Sequence, residues 1–286
     1  MRYGDDLARA LGRVGIGGGL RRRIVAEIAD HLASDPSAPL GPADALARRF
    51  ADELGTSRSR RAAFAAFAAL ALAGVAFTVA FVALAAARDL PRLHARMPLL
   101  GELAAGLTIL APQLAFVAGV LAALRAYRRR HDDALSAAEA ALLHRRTALA
   151  LVAGLAAMCG LALLVFEYEA SLPAWLTTLG YACAAAGGAA VAAAAPATLA
   201  AVRVRVSAAG EADDVFADLG PLVPAGLRGR PWPFARAVAV LVFLAVTAAG
   251  VAQADPFDGA LRGLVEAAAV LGGFALLGRY LGLRRE

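Results

Sequence analysis

Residues 62–87 run for twenty-six positions without one charged side chain. The stretch holds Phe64, Phe67, Leu70, Val75, Phe77, Phe81 and Leu84 among alanines. About 20 apolar residues in a helix cross the hydrocarbon core of a bilayer, so this segment predicts a transmembrane helix. Comparable segments follow at about 98–124, 147–166, 172–202, 235–253 and 259–282. The fourth is weakly apolar: Ala182 to Ala195 is nearly all Ala and Gly, and Pro196 interrupts it. Its small residues equally suit a helix in the interior of a bundle, where backbones approach closely. The mean hydropathy of +0.64 and a hydrophobic share of 60% fit this pattern and no ordinary soluble domain.

The charges are bunched at the ends of these segments. All 29 basic residues are Arg, which with the Ala and Gly content fits a high-GC genome. If six segments span, Arg58, Arg60, Arg61, Arg125, Arg128, Arg129, Arg130, Arg145, Arg146, Arg203, Arg205, Arg228, Arg230, Arg284 and Arg285 share one side. Glu167, Glu169, Asp255 and Asp258 fall on the other, together with a dissenting group, Arg88, Arg92 and Arg96. The positive-inside rule then puts both termini in the cytoplasm. It also explains the net charge of +6 without direct nucleic-acid binding. The first sixty residues are polar and periodic and contain no apolar h-region, so no signal peptide is expected. Cys159 and Cys183 lie in apolar segments, with neither disulfide nor metal spacing.

Residues 1–57 predict three short amphipathic helices ahead of the first span. Leu7, Leu11 and Val14 mark the first, which Gly15, Gly17, Gly18 and Gly19 break. Leu20, Ile24, Ile28 and Leu32 recur every four residues in the second, which stops at Asp35-Pro36. The third starts at Pro42, carries Leu46, Phe50 and Leu54, and is expected to end at Gly55. Leu46, Phe50 and Leu54 are expected to pack on Ile24, Ile28 and Leu32. The fold class is therefore all-α: a three-helix cytoplasmic bundle over 1–57, then a membrane domain of about six transmembrane helices over 58–286. A loose repeat accompanies this order, in which Phe50-Ala51-Asp52-Glu53-Leu54-Gly55 is echoed by Phe216-Ala217-Asp218-Leu219-Gly220.

Chemistry-bearing motifs are sparse. Glu27 and His31 are i,i+4 neighbours with Asp30 between them, but two groups make a poor metal site, so no metal is expected. Their simpler reading is a polar edge near Arg21, Arg22 and Arg23, or a face offered to a protein partner. The glycines at 15–19 follow no strand and precede no Gly-Lys-Ser/Thr, which argues for a turn rather than a phosphate loop. No nucleophile–base signature, zinc motif or cofactor motif appears, so neither an enzyme nor a cofactor is expected. Polar groups within spans are costly and mark candidate sites: Glu102, Gln113 beside Pro112, and Glu266 four residues beyond Arg262. They motivate an alternative reading as a transporter or permease-associated subunit.

The run Arg23-Ile24-Val25-Ala26-Glu27-Ile28-Ala29-Asp30-His31-Leu32 resembles the HAAS domain, a small helical signalling domain of bacterial membrane proteins. So does Ala45-Leu46-Ala47-Arg48-Arg49-Phe50, closing with Leu54-Gly55 just before a span. Members carry a Leu-Pro turn between their first two helices where this chain is Gly-rich. The resemblance covers residues 5–57. It implies a cytoplasmic interaction domain, without catalysis, and a link to PadR-like transcription regulators. The expected function is membrane-anchored signalling, with the lipid bilayer and a cytoplasmic protein as partners and Glu27, Asp30 and His31 as candidate contacts. The sequence leaves the oligomeric state open.

Overall fold

A computed structural model describes residues 2–35, 39–86, 98–213, 231–252 and 256–281. Among the described residues the chain is all-helical, with no strand. The helices are α1 (Arg2–Arg13), α2 (Gly18–Ser34), α3 (Ala43–Ala86), α4 (Pro98–Arg128), α5 (Ala137–Tyr168), α6 (Ala174–Val202), α7 (Pro231–Ala252) and α8 (Pro256–Leu281). A short 3-10 turn, Glu169–Ser171, follows α5. Among the described residues four helices, α3 to α6, are long and apolar enough to cross a membrane. The protein is therefore membrane-embedded and its apolar surfaces contact lipid.

The chain forms two compact units, residues 1–212 and 213–286. In the first, α3 packs along α6, α4 along α5, and α5 against α6. Its core is built from small residues: Ala66, Ala69, Ala73, Ala111 and Ala157, with Leu151, Met158, Val191 and Ala194. Small side chains let neighbouring backbones close up where no water drives helices together. A Cβ at Gly180 of α6 would lie 2.5 Å from Val165 of α5, so the Gly- and Ala-rich segment serves this packing. Pro196 does not end α6, nor Pro112 α4; both lie inside their helices. In the second unit, Trp232 meets Phe274 edge-on at 5.6 Å, and Gly263 faces Phe243. The first pair joins the start of α7 to the far part of α8 and the second lies between, so the two helices run antiparallel.

The third cytoplasmic helix expected from the sequence is not a separate element. It is the first part of α3, a single helix of 44 residues that runs through Gly55 into the first span. Gly55 is buried mid-helix, and a Cβ there would lie 2.5 Å from Val206. Its glycine thus reflects a close approach rather than a stop. The N-terminal core joins Leu7, Ala10, Leu11, Ile16 and Ile24 to Ala47 and Ala51 of α3 and to Val204, which follows α6. Leu46, Phe50, Leu54 and Ile28 pack at its margin, half-buried, while Leu32 stays outside the cluster. The fully buried pair Leu7 and Leu11 on α1 takes the centre that the sequence assigned to Phe50.

Several expectations fall outside the described residues: Arg88, Arg92, Arg96, Arg228, Arg230, Arg284, Arg285, Asp255 and the echo Phe216–Gly220.

Removing the buried side chain in Leu11→Ala is expected to cost about 2–5 kcal/mol. Phe50→Ala, at a half-buried site, should cost less than the roughly 3–5 kcal/mol of a buried Phe. Native-state hydrogen exchange of the α1 amides in the full chain reads both. Protection unchanged in Leu11→Ala would refute this core.

Candidate functional site

The residues singled out from the sequence do not converge. Glu27, Asp30 and His31 are exposed on α2. Glu27 pairs with Arg23 at 3.0 Å, a solvent-facing i,i+4 bridge of small worth. Among the described residues no three His, Cys, Asp or Glu side chains gather as metal ligands. Glu102 and Gln113 are exposed on α4, eleven residues and so about three turns apart on one face. Glu266 is exposed on α8, and the side chain of Arg262 lies outside the described residues.

The structure gathers polar chemistry elsewhere, where α3, α4 and α5 meet beside the N-terminal core. Arg125 of α4 and Glu139 of α5 form an ion pair at 3.0 Å with side chains only 2% and 4% exposed. Arg129, half-buried, reaches the other Glu139 oxygen at 3.3 Å and Asp132 at 2.9 Å. One carboxylate thereby takes two guanidinium groups. Arg60 of α3 donates to the carbonyls of Arg129 and Asp132, fastening α3 to the end of α4. Thr56 Oγ1 accepts from the Leu135 amide at 2.8 Å. Ser136 caps α5 by accepting from the Glu139 amide, half of a capping box. Arg146 is fully buried and donates to the Leu121 carbonyl at 3.4 Å.

Ser59 Oγ lies 2.8 Å from His144 Nε2, a spacing that suits a nucleophile and its base. It also lies 2.7 Å from the Gly55 carbonyl, the usual partner of a helical serine. One hydroxyl proton cannot serve both. With it on Gly55, His144 is the donor and Ser59 the acceptor. Ser59 is fully buried, so no substrate reaches it. The contact joins α3 to α5 and is a structural tie.

A strap after α6 completes the arrangement. Arg205 donates its amide to the Val14 carbonyl at 3.0 Å, in the turn between α1 and α2. Gly15 has φ +86°, and a Cβ there would overlap the Arg203 carbonyl, so both conformation and space demand glycine. Val204 enters the N-terminal core, Val206 lies over Gly55, and the Ser207 amide donates to Asp52 at 2.6 Å. The Ala208 carbonyl then accepts from the first amide of α5, Ala137, at 2.9 Å, satisfying one of its unpaired donors. Arg58 bonds the Ala200 carbonyl at the end of α6. Residues 203–208 therefore stitch the α1–α2 turn, α3 and α5 together.

Sequence reasoning treated Arg125 and Arg129 as orientation signals only and passed over Glu139. One signal was available: Glu139 is the only acid between Asp133 and Glu167, and it stands three residues after Ser136. No family model matches the chain, and no curated protein or solved structure matches it either.

Breaking a buried ion pair from one side strands a charge, at a cost of about 3–5 kcal/mol. Glu139→Ala should lower stability by that amount in equilibrium unfolding from mixed micelles. Arg125→Met with Glu139→Leu should recover most of it, because two apolar groups need no counter-charge. Equal losses in the single and double variants would show that the pair is not what holds α4 to α5.

Proposed function

We propose that the chain is a membrane-anchored signalling or regulatory protein whose cytoplasmic helical domain binds a protein partner. A PadR-like transcription regulator is the partner that the HAAS resemblance implies. In this reading six helices cross a bacterial plasma membrane, α7 and α8 being the fifth and sixth, and both termini are cytoplasmic. The observation that carries the proposal is the unbroken α3, which is at once a wall of the cytoplasmic core and a long apolar helix. A passive anchor needs only a flexible tether. A helix without a hinge, held a second time by residues 203–208, passes a tilt or rotation of the span into α1 and α2. The exposed Glu27, Asp30 and His31 on α2 then offer charge to a basic surface. The transporter reading draws less support, since Glu102 and Gln113 are exposed on the surface of α4 rather than gathered in a cavity.

The test uses full-length protein in membrane vesicles and the purified PadR-like regulator from the same genome. Inverted vesicles should capture the regulator and right-side-out vesicles should not. Glu27→Ala with Asp30→Ala should weaken capture about tenfold, the scale of one lost charge-assisted contact. Capture by right-side-out vesicles would overturn the orientation. Undiminished capture by the double variant, with protease resistance of residues 1–57 intact, would remove α2 as the contact face.

A further inference from the structure

We propose that the groove between α3 and α4 is a binding site for one acyl chain of an anionic phospholipid. The groove encloses about 860 Å3 and is lined by α3 from Phe67 to Ala83, by α4 from Pro112 to Gly119, and by Gly154, Ala157 and Met158 of α5. At 1.5 Å per residue its α3 wall is about 24 Å long, most of a ~30 Å hydrocarbon core. Thr78 carries the only side-chain hydroxyl in the lining, and it is spent on the Gly74 carbonyl at 2.8 Å. Among the described lining residues no side-chain donor is thus left for a polar ligand, and hydrocarbon is the chemistry the walls accept.

Charge at one end identifies the head group. Arg60 stands eighteen residues, five turns, before Thr78, and Arg130 eighteen residues after Pro112. Arg60 therefore continues the α3 stripe beyond the groove's end at Phe67, and Arg130, two residues past the end of α4, stands next to the Arg129 carbonyl that Arg60 holds. Arg130 is exposed and lies over the Tyr127 ring at 4.1 Å, a flat cationic surface suited to a phosphate. Arg60 Nε is buried without a hydrogen-bond partner. A second copy of this chain would bring the same arginines against these, whereas a phosphodiester complements them. The proposal does not depend on the signalling reading.

The experiment titrates the full chain in neutral detergent with dioleoyl phosphatidylglycerol or dioleoyl phosphatidylcholine, with bound lipid counted by native mass spectrometry. Phosphatidylglycerol should bind about tenfold more tightly, the scale of one charge-assisted contact. A Cβ at Gly74 meets no atom within 4 Å, so Gly74→Phe fills the groove without a clash in the core. That variant should lose the tightly held lipid. Arg130→Gln should keep one lipid and lose the preference between head groups. Should Gly74→Phe fail to fold, Ala71→Leu, also exposed in the groove, takes its place. Equal affinities for the two lipids in the wild type would overturn the head-group assignment. Tight lipid retained in Gly74→Phe would place the lipid elsewhere. A dimer that Gly74→Phe dissociates, with lipid binding unchanged, would make the groove an interface between copies and overturn the proposal.

Discussion

A helix that enters hydrocarbon must satisfy every backbone group within itself, and that constraint governs α3. Once wound, it has no inexpensive place to stop near the membrane, because each end leaves four backbone groups unpaired. The chain instead continues the helix back to Ala43, where it becomes one wall of the N-terminal core. Ala47 and Ala51 pack with Leu7 and Leu11, and Ala66, Ala69 and Ala73 lie in the core among the long apolar helices about four to seven turns later. Small residues at both places keep the same helix closely packed against its neighbours.

The rest of the first unit secures that rod. Arg60, Thr56 and Ser59 tie it to the α4–α5 connection, and the ion pair of Arg125 with Glu139 holds that connection shut. The strap from Arg203 to Ala208 returns from the end of α6 and closes over Gly15 and Gly55. The ties to α3 join elements distant in sequence, as with Asp52 and Ser207, which are 155 positions apart. Together they remove the hinge that a soluble domain on a tether would have.

Much of this was legible in the sequence, and the exceptions share a cause. The apolar spans follow from a local property, a long run without charge, and their boundaries hold to within a few residues for α4 and α6. The stripe through Leu7 and Leu11 and the buried Ile24 follow from periodicity. Gly15 and Gly55 read as helix stops in the sequence, which is correct for Gly15 and wrong for Gly55, through which α3 continues. Their partners, Arg203 and Val206, lie far along the chain and leave no local trace. Arg125, Arg129 and Glu139 were readable as charges but not as a buried pair, because burial is set by how α4 meets α5. Glu102 and Gln113 drew attention because polarity within a span is costly, yet an exposed position on one helix gives no site without convergence.

The central claim is that the N-terminal core and the long apolar helices of the first unit move as one body. Double electron–electron resonance tests it directly, with spin labels at the exposed positions Asp5 on α1 and Ala141 on α5, in a Cys159→Ser, Cys183→Ala background reconstituted in bilayers. A rigid body gives one narrow distance distribution, and Val204→Asp, which puts a charge into the N-terminal core, broadens it. A broad distribution in the otherwise native chain, unchanged by Val204→Asp, would contradict the account and return residues 1–57 to the status of a tethered domain.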